Sequence, residues 1–329
     1  MIEILSNTAL ATIQDGGRQG YYRDGVSRSG SMDCVAVAVG NALLGNERYA
    51  AAVEIPLLPF AVRFDGDLDI ALTGADCAAR LDGQLLPPDW AVRVRAGQVL
   101  KLSAPRSGCR AYLCVGGGVD VPPVLGSRST QLREGFGGHE GRMLQRGDRL
   151  AARRTDTVLP RGGMGAMPVA AILRDPGQGG GTITVRVLAA AEYDLFRPAA
   201  REALWSVDWA VTSQSNRAGY RLAGPELHLV APIELRSHGI VPGVIQVPPG
   251  GQPIIQLADA ATMGGYPKIG TVIEADLWRL GQARPGDRLS FREVNYEDAL
   301  AAARELDDCL AAIETMALRV RAAVKGWSK

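Results

Sequence analysis

Ser237, His238, Gln252, Gln256, Asp259, Thr262, Tyr266 and Lys268 fall within one short stretch, residues 237–268. An imidazole that titrates near neutrality, a carboxylate, an ammonium and several amides make a usable set. Together they can move a proton, neutralise a developing negative charge and orient a small polar substrate. A second group, Asn216, Arg217, Tyr220 and Arg221, lies in SQSNRAGYRLAG (213–224), read as one loop. A third is spread along TIQDGGRQGYYRDGVSRSGSMD (12–33), a long Gly-rich loop holding Arg18, Tyr21, Arg28, Ser29 and Asp33. Paired guanidinium N–H groups suit carboxylate or phosphate. Arg18 and Arg28 therefore either clamp an anion or pin the loop to its own carbonyls. Each of the others also has a plainer use. His238 precedes a glycine and can hold a turn, Asp259 can cap the residues after it, and Lys268 can be a surface residue.

The elements that must hold these groups are short strands. VIQV (244–247), PIIQLA (253–258) and KIGTVI (268–273) are apolar runs between Gly and Pro breaks, which suits buried strands with tight turns. IEIL (2–5), the segments between Ala50 and Ala104, CRAYLCV (109–115) and TITVRVLA (182–189) read the same way, with Gly66, Gly83 and Gly97 at hairpin turns. Asp33 is placed to cap a nearly all-apolar helix, Cys34–Leu44, stopped by Gly45. Gly40 within that helix implies a close neighbour. A short helix is expected near Pro198–Trp205. A last helix begins after Asn295, with Asp298 in a capping-box position. Its stripe Leu306, Leu310, Ile313, Ala317, Val320 and Val324 packs on its own domain or on a neighbouring chain.

RGDRL (146–150) answers PGDRL (285–289), and RQGY (18–21) answers RAGY (217–220), in the same order. This suggests a duplicated β domain. The expected partition is an N-terminal domain at 1–160, a linker at 161–181 with its flexible part at 177–181, a C-terminal domain at 182–294, and a helix at 295–329.

Thirty-six basic residues against 35 acidic ones give a net charge of +1, which argues against nucleic acid or a charged membrane as the main partner. Five scattered cysteines without a CxxC pair fit a reducing compartment. Three histidines without ligand spacing make a zinc site improbable, and no protein-held metal is expected. GGG (116–118) is not a phosphate loop, since no GxxxxGK[ST] pattern occurs. No basic leader or membrane-length apolar run is visible, so a cytoplasmic protein is expected.

TIQDGGRQGYYRDGVSRSGSMD, SNRAGYRL, SHGIVPGVIQVPPGGQPIIQLADAATMGGYPKIGTVI and PGDRLSF together resemble the allophanate hydrolase subunit 2-like family, also called the biotin-dependent carboxyltransferase family. The resemblance covers residues 1–295. It implies a mainly-β fold of two tandem cyclophilin-like β-barrel domains with a few helices. The family includes the C-type subunit of the ATP-dependent 5-oxoprolinase. That enzyme opens 5-oxo-L-proline to L-glutamate, using also a B-type subunit of the subunit 1-like family and a third subunit. The family further includes the matching part of urea carboxylase. The resemblance thus implies a small lactam or amide substrate, partner subunits, and ATP with Mg2+ at the complex. The chain has no biotin-attachment AMKM motif and no subunit 1-like region, so a stand-alone component without its own biotin is expected. Two other roles stay open: a carboxyltransferase component of a urea- or allophanate-type amidolyase, and a non-catalytic antagonist of a kinase-inhibitor protein. With lactam opening in view, Arg18, Arg217, His238 and Lys268 are expected to do the chemistry. Tyr21, Ser29, Asp33, Asn216, Tyr220, Ser237, Gln252, Gln256, Asp259 and Tyr266 are expected to surround the substrate. The loops at 12–33, 213–221 and 237–268 would meet in one cleft.

Overall fold

The computed structural model describes residues 1–6, 10–56, 59–153, 157–173 and 181–327. Residues 177–180 of the expected flexible link lie outside that set. The chain is mainly β and divides into two compact units. One is Met1–Arg18, Ser29–Ile172 and Asp308–Lys329; the other is Gln19–Arg28 and Leu173–Asp307.

The first unit holds β1 (Ile2–Ile4), β2 (Thr12–Gln14), α1 (Cys34–Leu44), β3 (Ala52–Ile55), β4 (Phe60–Phe64), β5 (Leu68–Asp76), β6 (Arg80–Leu81) and β7 (Gln84–Leu85). It continues with β8 (Trp90–Val94), β9 (Val99–Leu102), β10 (Ser107–Val115), β11 (Arg149–Leu150), β12 (Met164–Gly165) and α2 (Val169–Ile172). Two six-stranded sheets result, in the orders β11-β1-β4-β9-β6-β7 and β12-β8-β5-β10-β3-β2. Ile2, Phe60, Phe64 and Leu100 of the first sheet and Ile13, Ile55, Leu72 and Leu113 of the second share one apolar core.

Period-two alternation decides what lies behind that core. On β10, Ala111, Leu113 and Val115 enter it, so Arg110, Tyr112 and Cys114 take the opposite face. There α1 covers the sheet, and its residues Val35–Leu44 are all buried. The approach is close: a Cβ on Gly40 would stand 2.6 Å from Cys114 Sγ. The start of α1 is fixed from both sides. Asp33 accepts from the Ala36 N–H at 2.8 Å. The Tyr112 hydroxyl accepts from the Asp33 N–H at 2.8 Å and donates to the buried Glu54 carboxylate at 2.9 Å. At the other end Arg321 donates to the Ala42 and Leu43 carbonyls, where a cation best meets a helix C-terminus. Glu314 accepts from Arg48 Nε at 2.5 Å and from Arg48 Nη2 at 3.1 Å. Leu310, Ile313 and Ala317 of the expected stripe are buried, so that part of the stripe packs on its own chain.

Asp89 sits just before β8 at φ +50°, and burial pushes its carboxyl up to about 6 from 3.8. The folded state therefore binds this proton more tightly than the unfolded chain does. Through this group alone, stability is undiminished below about pH 4, falls as pH rises from about 4 to about 6, and is flat above. Asp89→Asn tolerates the left-handed backbone. It should stabilise the protein by about 1–2 kcal/mol at pH 7. Thermal melts at pH 7 and pH 4 check this: the advantage should vanish at the lower pH.

The second unit holds β13 (Thr182–Ala189), α3 (Pro198–Ser206), β14 (Trp209–Val211), β15 (Gly219–Ala223), β16 (His238–Gly239), β17 (Val244–Gln246) and β18 (Ile254–Gln256). Then come β19 (Met263–Gly264), β20 (Lys268–Val272), α4 (Leu277–Gln282), β21 (Arg288–Glu293) and the long α5 (Tyr296–Trp327), whose residues past 307 count with the first unit. Seven strands close a barrel in the order β13-β20-β17-β18-β15-β14-β21, and β16 pairs with β19 outside it. Trp209, fully buried, stacks on Phe291 inside this unit. Asn295 caps α5 as expected, accepting from the Asp298 N–H at 2.8 Å.

The segment read as one loop at 213–224 needs correction: Gly219–Ala223 is strand β15. Tyr220 and Leu222 alternate inward there, a strand period hidden by the polar residues before it. Thr12–Gln14 is likewise strand rather than loop. The RGDRL and PGDRL repeats do share a turn. Asp148 accepts from the Gln145 N–H at 2.7 Å, and Asp287 from the Arg284 N–H at 3.0 Å. The following turns place Gly147 at φ 94° and Gly286 at φ 96°.

Candidate functional site

The barrel brings His238 and Lys268 to the same carboxylate. Lys268 opens β20 opposite Gln246, the last residue of β17. Glu192 follows β13, which pairs with β20 through Ala189 and Gly270, so it emerges beside the start of β20. Lys268 Nζ lies 3.2 Å from Glu192 Oε1, with both side chains mostly buried. His238 opens β16 opposite Gly264, and its Nε2 lies 4.0 Å from the same Glu192 oxygen. Its Nδ1 stands 2.8 Å from the Arg236 carbonyl. A carbonyl only accepts, so Nδ1 carries the proton in the neutral ring and Nε2 presents a lone pair. Glu192 Oε2 and His238 Nε2 are buried and have no hydrogen-bond partner among the described residues.

Beside them Gln246 accepts from Gln256 Nε2 at 3.0 Å and donates to the Tyr266 carbonyl at 3.4 Å. β19 crosses this amide so closely that a Cβ on Gly264 would lie 2.6 Å from Gln246 Nε2. The sequence pointed to His238, Lys268, Gln256 and Tyr266 but not to Glu192 or Gln246. Glu192 is a lone carboxylate after a strand, and Gln246 reads as a strand residue; neither carries a motif.

The other expected residues lie away from this carboxylate or make contacts of their own. Arg217 holds Asp259 through two bonds, at 2.7 and 3.1 Å, with both side chains about nine-tenths buried. Asn216 accepts from the Ala218 N–H. Tyr220 is buried, its hydroxyl donating to the Ala283 carbonyl at 2.9 Å. Gln252 ties both ends of its amide to the Gly224 backbone. Ser237 is exposed near Gly265, and the Tyr266 side chain is largely exposed. Tyr21 and Arg28 also lie in the second unit, Arg28 being 3.7 Å from Glu274.

In the first unit Arg18 is buried, donating to the Ser129 carbonyl and resting on the Phe136 ring at 4.6 Å. Those contacts pin the loop. Ser29 is buried at φ +52°, and Asp33 caps α1. A cavity of about 440 Å³ is lined by Gly16, Gly17, Asn46, Tyr49, Gly117, Gly118, Arg128 and Arg153 among others. The Gly17, Gly117 and Gly118 N–H groups of this lining donate to Asp15, Asn46 and Val115. Among the described residues no group of three or more His, Cys, Asp or Glu is arranged to hold a metal ion. No helix among them is long and apolar enough to cross a membrane.

Residues 24–293 match the family described as "Carboxyltransferase domain, subdomain A and B". The chain belongs to that family. It is 44% identical to the 5-oxoprolinase C subunit of Escherichia coli K12, over 93% of this chain and 95% of that one. It is 43% identical to the 5-oxoprolinase C subunit of Haemophilus influenzae, over 91% and 93%. It also resembles the urea amidolyase of Saccharomyces cerevisiae, at 33% identity over 97% of this chain but only 18% of that one. The crystal structure of the K. lactis urea amidolyase superposes with a TM-score of 0.86 at 29% identity, over 95% of this chain and 20% of that one. The chain thus spans about a fifth of those larger proteins and nearly all of the two 5-oxoprolinase components.

Proposed function

We propose that this chain is the C-type subunit of an ATP-driven 5-oxoprolinase, opening 5-oxo-L-proline to L-glutamate with a B-type partner of the subunit 1-like family and a third subunit. One observation carries the reading: the match runs end to end along the C subunit of 5-oxoprolinase, covering 95% of the E. coli protein. The compartment it expects is the reducing cytoplasm, which suits five cysteines that form no disulfide.

Lactam opening adds water across the amide C–N bond, with oxygen going to the carbonyl carbon and a proton to the nitrogen. The amide carbonyl is a poor electrophile, so negative charge developing on its oxygen must be stabilised. The Lys268 ammonium, held by Glu192, is suited to that. The His238 Nε2 lone pair is suited to take the proton from the attacking water. Hydrolysis of ATP, arriving with its magnesium, supplies the driving force at the complex. No phosphoryl step is assigned to this chain.

Phosphate release by the chain reconstituted with both partners tests the reading. Release that requires 5-oxo-L-proline and all three components is the expected result. Stimulation by urea instead would point to a carboxylase-type role. A stable complex without substrate-dependent release would point to the regulatory antagonist.

A further inference from the structure

Glu192 and His238 leave two buried acceptors with no partner among the described residues, next to a buried ammonium. Each part is set by a separate contact. Lys268 takes only Glu192 Oε1, leaving Oε2. The Arg236 carbonyl takes the His238 Nδ1 proton, leaving the Nε2 lone pair. A buried acceptor without a donor costs about 1–3 kcal/mol, so the place is shaped for a molecule that brings an N–H.

We infer that Glu192 is a specificity-determining residue that reads the N–H of a cis amide while Lys268 takes its carbonyl oxygen, which leaves the His238 lone pair for the attacking water. The inference rests on the functional reading above. It is an argument about edges. A ring amide presents its N–H and C=O side by side, donor next to acceptor. Glu192 and Lys268, 3.2 Å apart, present the complementary edge, acceptor next to donor. An ordinary open-chain secondary amide is trans, so its N–H and C=O point to opposite sides. It cannot meet both groups at once. Gln246 and Gln256 hydrogen-bond to each other, which helps keep that neighbouring wall fixed while the ligand is read.

Three inhibitors separate the possibilities without any mutation: 2-pyrrolidinone, N-methyl-2-pyrrolidinone and N-methylacetamide. They are tested in competition with 5-oxo-L-proline turnover by the reconstituted complex, and by direct calorimetric binding to the complete chain. 2-Pyrrolidinone should be about 100-fold more potent than its N-methyl derivative, because a site built around an N–H rejects the analogue lacking it. N-Methylacetamide should be as weak as the N-methyl lactam. In Glu192→Ala the preference of the ring N–H over N-methyl should shrink several-fold, a change that mere loosening of the barrel would not produce. Equal potency of the two lactams in the unaltered protein overturns the inference. The two readings fail differently. If the functional reading fails, 5-oxo-L-proline is not turned over but direct binding still ranks the lactams by their N–H. If this inference alone fails, turnover proceeds and the two lactams are equal.

Discussion

Replacing Lys268 by alanine should lower 5-oxo-L-proline turnover by the reconstituted complex about 100- to 1,000-fold, the usual effect of removing one group that faces developing charge. The melting temperature should fall as well, because the Glu192 carboxylate left behind is mostly buried, so turnover is read at a temperature where the variant is folded. Lys268 contacts Glu192 at the rim of the barrel, and its neighbours Ile269 and Gly270 carry the packing of β20. Lys268→Arg keeps the charge but spreads it over a planar fork, so a partial recovery of kcat is expected. Arg217→Ala is the informative contrast. Its guanidinium is engaged by Asp259 through two bonds in a nearly closed environment. Removing it strands a buried carboxylate, which costs about 3–5 kcal/mol of stability. The expected pattern is therefore a lowered melt in both, with turnover lost in folded Lys268→Ala and turnover that follows the folded fraction in Arg217→Ala. Near-normal turnover in Lys268→Ala would sink the Glu192–His238–Lys268 site.

These two residues also show where the sequence could be read and where it could not. Both were singled out as positive charges in Gly-rich surroundings, and sequence gives no way to see which one already has a buried counter-ion. Asp259 lies 42 positions away from Arg217, a separation that only the ladder of β15 against β18 closes. Local signals fared better. Asp33, Gly45 and Asn295 mark helix ends through their own side chain or backbone, within a few residues, and all three do so here. The strands between Ala52 and Val115 follow from alternation and Gly turns for the same reason. Gly40 was legible as a close contact, though not that its neighbour is the Cys114 sulfur. Glu192 was invisible because its role comes from β13 pairing with β20, a long-range register with no local mark. Tyr220 misled because polar neighbours disguised the inward face of β15.

Asp15→Ala should be the most damaging single change in the first unit. The carboxylate accepts from the Gly17 N–H at 2.8 Å, Ser127 Oγ at 2.6 Å, Ser129 Oγ at 2.5 Å and the Arg128 N–H at 2.5 Å. All four donors belong to two loops, 15–18 and 126–130, whose backbone pairing is sparse: Ser127 bridges to Val124 and the Thr130 N–H donates to the Ile13 carbonyl. Alanine would leave these donors without an acceptor at a nearly buried position, at a cost of about 3–5 kcal/mol. That corresponds to a fall of roughly 10 °C in the melting midpoint for a domain of this size. Ser129→Ala leaves the carboxylate three other donors but also removes the acceptor of the Asp15 N–H, so it should cost about 1–3 kcal/mol, less than Asp15→Ala. The two changes share one network and should not add. In a Ser129→Ala background Asp15→Ala should cost visibly less than in the unaltered chain. Full additivity in thermal or urea melts would mean that the four contacts act separately and that Asp15 is not the centre of the loop pair. The same loops carry Arg18 and line the cavity of the first unit, so the damage should reach them as well. Limited proteolysis should then cut Asp15→Ala within 15–18 or 126–130 before it touches the paired strands.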